Sequence, residues 1–223
     1  MLALGMIAAL AMPGTAQATP QLGDLGVKQS MSVKASNGES LEGKDLRAIQ
    51  LATYTAASVD GNTIVGYDLT TNTALASDIT AAAKAAGATD TNLTVNGKND
   101  PMVWVVKNLT DSRSDPWSGK LRNFCNSLAK QTNFAKQDGT AVSTLSQDKA
   151  TMSTGNVLVP GIYAIVDRTP ATTTLSSGTA IKTTASIMMM NGTAVNGVNQ
   201  LRTAGGTTLT LGQVIYKVSN VES

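Results

Sequence analysis

The sequence predicts a mainly β domain interrupted by a helical insertion, and three observations carry that expectation. Short runs of alternating apolar and polar residues occur towards both ends of the chain. Between them lies an Ala-rich block with two Asp-Pro steps of the kind that start helices. Gly, Asn, Ser and Thr fill the connections. Strands before and after a helical block can share one sheet system only if the chain returns to where it began, so one β-sandwich is expected over about Ser30 to Val218, with helices confined to about Thr73 to Gln137. At 223 residues and 42% hydrophobic content the chain can bury a sizeable core. Aromatics make up only 4%, so Val, Ile, Leu, Met and Ala must build it.

The elements follow in order. The opening stretch "MLALGMIAALAMPGTAQATP" is an apolar run, a Pro-Gly break and small residues at Ala16 and Ala18, which fits a signal peptide over residues 1–18 cleaved before Thr19. No Lys or Arg precedes the run, and a buried core helix is the competing reading. In "SMSVKA", Met31, Val33 and Ala35 share one strand face and leave Ser32 and Lys34 on the other. The stretch "LRAIQLATYTAASVDGNTIVGYDLT" reads as two strands joined at Asp60-Gly61-Asn62. The period then changes. "TALASDITAAAKAAG" reads as a helix with Gly87 past its end, "NDPMVWVVKNL" as a helix with Asp100 at the N-cap and Pro101 at the first position, and "SDPWSGKLRNFCNSLAKQ" as a third. From Thr140 strands return in "TAVSTL", "NVLVPGIYAIVDRTP", "TASIMMM" and "TLGQVIYKV". The second of these has a Pro160-Gly161 corner, where glycine permits a turn closed to other residues. It then sets Ile162, Ala164 and Val166 against Tyr163, Ile165 and Asp167, a strand buried on both faces that ends in an acid.

Composition excludes more chemistry than it suggests. With no histidine and one cysteine, the chain holds no Ser-His-Asp, Cys-His or ordinary transition-metal set, and no paired-carboxylate motif stands out, so neither an enzyme, a cofactor nor a metal is expected. Charged residues are 14% with a net of +2 and no basic cluster, which argues against nucleic acid as a partner. Cys125 falls on a stripe with Leu121, Phe124 and Leu128 and reads as a buried, inert thiol. Met188, Met189 and Met190 read as strand core. Trp104 and Trp117 serve either core packing or sugar stacking, and exposure decides between the two.

Several segments taken together resemble one family. "SVKASNGESLEGKDLRAIQLATYT", "GYDLTT", "DPMVWVVKNL", "DSRSDPWSGKLRNFCNSLAK", "LVPGIYAIVD" and "LGQVIYK" look like the N-terminal domain of sortase-assembled fimbrial subunits of Gram-positive bacteria, of the actinobacterial type with isopeptide-forming domains. The resemblance runs from about Met31 to Lys217. It implies an Ig-like, Cna B-type β-sandwich with a helical insertion, export to the cell wall, and other pilin subunits and a sortase as partners. The function it implies is that of a structural or adhesive module of a pilus. The alternative is a surface adhesin domain that binds a host glycan or matrix protein without forming fibres. The chain stops at Ser223 without the sorting motif, apolar segment and basic tail of a complete subunit, which is the expectation for an N-terminal domain or truncated subunit.

The resemblance also assigns residues. In related sandwiches the "PGxY" corner leads into a strand carrying an acid that assists a Lys-Asn isopeptide bond between first and last strands; Asp167 stands near that place, which makes Lys34, Asp167 and Asn220 the intradomain candidates. The family usually has Glu where Asp167 stands, and the strand alternation turns Lys34 away from the apolar face. For the bond between subunits the candidate is Lys217, because Val214, Ile215, Tyr216 and Lys217 resemble the family's "VYPK" motif with the proline missing. A plain last strand with a solvated lysine fits the same residues.

Overall fold

A computed structural model describes residues 19–109, 119–170, 172–174, 177–178, 180–183, 189–203, 205–216 and 220–222. The apolar stretch over residues 1–18 expected to be a leader, the second Asp-Pro step, Trp117, Met188 and Lys217 lie outside the described residues. The chain is mainly β. In order it forms β1 (Gln21–Leu22), β2 (Ser32–Ala35), β3 (Leu46–Asp60), β4 (Thr63–Thr71), α1 (Ala76–Ala85), β5 (Thr94–Val95), β6 (Lys98–Asn99), α2 (Pro101–Leu109), α3 (Lys120–Leu128) and α4 (Thr132–Ala135). It continues through β7 (Thr140–Val142), β8 (Thr144–Leu145), β9 (Thr151–Ser153), β10 (Gly161–Asp167), β11 (Thr172–Thr174), β12 (Ala180–Thr183), β13 (Met189–Gly192), β14 (Gln200–Arg202), β15 (Thr208–Thr210), β16 (Gln213–Tyr216) and β17 (Asn220–Glu222).

The long hairpin of β3 and β4 organises the larger sheet, whose order is β13-β10-β3-β4-β14-β15, with β1 and β7 also paired to β3. The hairpin turns at Gly61, whose φ of 58° suits glycine, and pairs Asp60 with Thr63. A second sheet runs β16-β2-β9-β8, so an early strand and a late one become neighbours, and they are parallel. Strands β11, β12 and β17 form a third, smaller sheet.

Strand β10 is buried at all seven positions because the larger sheet is covered on both faces. On one face Ile162, Ala164 and Val166 join Ile49, Tyr54 and the helical residues Ile79, Met102, Val105, Phe124 and Leu128. On the other, Tyr163 and Ile165 join Leu46, Ala48, Met31 just before β2, and the second sheet's Val33, Met152, Val214 and Tyr216. Met189 and Met190 split the same way, Met189 against the sheet-to-sheet core and Met190 against the helix side.

Two local expectations are corrected. Gly161 is not in the positive-φ region; it is required because a Cβ there would stand 2.1 Å from the Ala52 carbonyl oxygen, where β10 crosses β3 at a bulge. Asp100 precedes α2 as expected, but its carboxylate accepts from the Thr71 amide at 2.9 Å and from the Thr71 hydroxyl. Thr71 Oγ1 in turn accepts from the Met102 amide at 3.0 Å, so a residue distant in sequence satisfies the helix's first amide, while the Val103 amide donates to the Asp100 carbonyl. Gly87 ends α1 with φ 104°, as a glycine past a helix C-terminus should.

Candidate functional site

The acid at the end of β10 is the centre of the most deeply buried charged cluster described. Asp167 continues the register in which Tyr163 and Ile165 face the second sheet, so its carboxylate enters the sheet-to-sheet core. It pairs across the ladder with Leu46 at the start of β3. The backbone beyond it is clamped to the same place, since the Arg168 amide donates to the Asp45 carbonyl at 2.8 Å and the Asp45 amide donates to Thr169 Oγ1 at 2.8 Å.

Lys44 arrives at this corner from a tight turn. Leu41 is fully buried and donates its amide to the Lys149 carbonyl, Gly43 takes φ 78°, and the Lys44 amide donates back to the Leu41 carbonyl. The turn therefore delivers the next side chain inward. Lys44 Nζ lies 3.8 Å from Asp167 Oδ2, with both side chains 1% exposed. Tyr216, the last residue of β16, donates its hydroxyl to the same Oδ2, and its ring centroid is 5.7 Å from Lys44 Nζ. Asp167 Oδ1 accepts from the Thr169 amide at 2.8 Å.

Burial sets the electrostatics. Loss of solvation holds the Lys44 ammonium below the usual lysine value of 10.5, and the Asp167 charge opposes that shift. The Tyr216 hydroxyl is pushed up, first by burial, then by its hydrogen bond to Asp167 and the charge there. Chemically the arrangement can tie three chain segments together as an ion pair with a hydrogen-bonding phenol. The two groups an amide bond would require are also present, an amine and a carboxyl.

The residues named from sequence are only partly brought together. Asp167 is in the cluster. Lys34 is not: it stands exposed on the outer face of β2, opposite Ile215 and Thr151, because Val33 and Ala35 take the inner face. Asn220 opens β17, which pairs with β12 in the small third sheet rather than with β2. The strand beside β2 is β16. Lys217 follows Tyr216 directly in sequence and lies outside the described residues. Lys44, missed from sequence, takes the place given to Lys34. Its one sequence signal is position: it sits in "SLEGKDL" between the buried Leu41 and Leu46, where a two-residue turn closes.

Other features resolve more simply. Cys125 is buried and its thiol is pushed up to about 11 by loss of solvation, so it is inert. Trp104 is half-buried against the helix-side core. Among the described residues no cluster of three His, Cys, Asp or Glu could hold a metal, and no helix is long and apolar enough to cross a membrane. No protein-family model matches the chain, and no curated protein matches it significantly.

Proposed function

We propose that this chain is the N-terminal domain of a cell-surface fibre subunit, an Ig-like, Cna B-type sandwich exported by a Gram-positive bacterium and joined to other subunits by a sortase. One observation carries the reading. Two of the segments that resemble the fimbrial family, "PGIYAIVD" and "VIYK", meet in space through the hydrogen bond from Tyr216 to Asp167. They lie 49 residues apart, and each closes on the other's strand end inside the core. A fibre module needs the strand before its linking lysine fixed to the domain, since the residue that follows Tyr216, Lys217, is the one offered to the acyl-enzyme formed with the following subunit. The role is structural and non-enzymatic.

Linkage requires the Lys217 amine to attack the acyl carbon, release the sortase thiol and form an amide. The test is Lys217→Ala in the full-length subunit, expressed with its own sortase. The expected result is loss of the ladder of covalent polymers on a denaturing gel while the monomer persists. An unchanged ladder refutes linkage through Lys217. No ladder in the parent strain refutes fibre formation and leaves the adhesin reading.

A further inference from the structure

We infer that the domain is a mechanical clamp, loaded in shear along the axis from its N-terminal to its C-terminal end. The inference goes beyond the fibre reading, because it is a property of the domain alone and holds equally for a monomeric surface protein. It rests on the topology of the second sheet. Strands β2 and β16 are parallel neighbours paired over four positions, from Ser32 with Gln213 to Ala35 with Tyr216. The chain enters β2 at one end of this pair and leaves β16 at the other. Tension applied through the two ends of the domain therefore pulls the strands past each other along their length. The hydrogen bonds between them lie across that direction and must fail together. Were the pair antiparallel, the same tension would open it one bond at a time.

Side chains oppose the slide as well. Because strand side chains alternate, β16 cannot re-pair one residue along without turning Val214 and Tyr216 out of the core, so the nearest compatible register is two residues away, about 7 Å. Any such step strips the Tyr216 hydroxyl from Asp167 and leaves a buried carboxylate short of a donor. Strand β2 is paired to β9 on its other side, which holds it in place, whereas β16 is the edge strand. Asn191 Nδ2 adds a hydrogen bond to the Gln213 carbonyl at 2.8 Å, and the Gly212 amide one to the Gly192 carbonyl at 2.8 Å. Rupture is thus assigned to the β2–β16 seam. The outer attachments, β1 on β3 and β17 on β12, span two and three residue pairs and yield first.

Single-molecule force spectroscopy on the chain from Thr19 to Ser223 tests this with two pulling directions. One handle is fixed beyond Ser223 in both. The other is attached to a cysteine at Lys28→Cys, before β2, or at Glu39→Cys, just after it; both positions are exposed, and buried Cys125 does not compete for the handle. The first geometry shears the seam and the second peels it. The expected result is a several-fold higher rupture force for Lys28→Cys than for Glu39→Cys at the same loading rate. Adding Tyr216→Phe should lower the first force and leave the second nearly unchanged. Equal forces in the two geometries, or an equal loss in both on Tyr216→Phe, overturn the clamp. The two-direction comparison needs no core substitution, so it decides the matter even if Tyr216→Phe fails to fold. A failed clamp leaves the polymer ladder untouched, and a missing ladder leaves the forces untouched.

Discussion

Asp167→Ala removes the group on which Lys44 and Tyr216 converge. The Lys44 ammonium would then sit in a site where its side chain is 1% exposed with its carboxylate gone, and the Tyr216 hydroxyl would lose its acceptor. Deleting one partner of a buried ion pair costs about 3–5 kcal/mol, because the other charge stays desolvated. For a domain of this size each kcal/mol lowers the melting temperature by about 2–4 °C, so a fall of about 6–20 °C is expected. Lys44→Met should cost less than Asp167→Ala, since Asp167 loses its counter-charge but keeps its hydrogen bonds from Thr169 and Tyr216. The double variant Lys44→Met with Asp167→Ala should recover much of the loss, with a coupling of about 0.5–3 kcal/mol. Urea unfolding followed by far-UV circular dichroism measures all four proteins, with an unchanged slope required for a clean comparison. An Asp167→Ala unfolding free energy within about 1 kcal/mol of the parent, the scale of a surface pair, would refute the reasoning. Strict additivity in the double variant would refute it too.

Further outcomes follow from the same geometry. Intact mass should show no loss of water or ammonia against the sequence mass of the chain, counted from the N-terminus the same spectrum establishes, because Asp167 accepts hydrogen bonds at both oxygens and the carbon of a carboxylate is a poor electrophile towards an amine; a mass lower by one water would establish a Lys44–Asp167 amide, and one lower by one ammonia a lysine–asparagine bond. Lys44 binds its proton less readily folded than unfolded, so stability should rise with pH in the window below 10.5, and the rise should be steeper in Asp167→Ala, where the opposing charge is gone; a flat profile there would contradict the buried ammonium. Burial raises the hydroxyls of all four tyrosines, Tyr54, Tyr67, Tyr163 and Tyr216, above 10.0, so this contribution is present below that value and lost above it. Tyrosinate absorbance should therefore appear together with loss of the circular dichroism signal, and a reversible fraction titrating near 10 in the folded protein would be inconsistent with their burial. Gly161→Ala should cost about 1–3 kcal/mol through the clash with the Ala52 carbonyl, read as a lower urea midpoint.

What was legible in the sequence was what depends on near neighbours. The alternation of Met31, Val33 and Ala35, the turn at Gly61, the Ala-rich helix ending at Gly87 and the doubly buried β10 all follow from periods of two or 3.6 residues and from turn chemistry, and the structure holds each of them. The outward face of Lys34 followed from the same alternation, although the resemblance kept it among the bond candidates. The partners of Asp167 were not legible. Lys44 stands between Gly43 and Asp45 in a charged turn, which locally reads as solvated, and only contacts with β10 and β16, far along the chain, bury it. The capping of α2 by Thr71 was hidden for the same reason, since a local rule nominates the adjacent Asp100.

An acid at the end of a strand buried on both faces needs a reason, because a carboxylate in a core costs several kcal/mol unless donors and a counter-charge meet it. Here the reason is topological. The larger sheet is covered by helices on one face and by the second sheet on the other, and Asp167 emerges on the face where β2 and β16 close the domain. An apolar residue at that position would pack against Tyr216 in more than one arrangement of β16. A carboxylate that must meet the Tyr216 hydroxyl, the Thr169 amide and the Lys44 ammonium admits one. The cluster therefore selects the register of β16, and it follows that Asp167→Leu with Lys44→Met should keep or raise equilibrium stability. The same variant should lower the rupture force in the shear geometry, because the apolar replacement no longer resists sliding along the strand. A double variant that gained stability and kept its full shear force would separate register selection from this cluster and place it in the β2–β16 ladder alone.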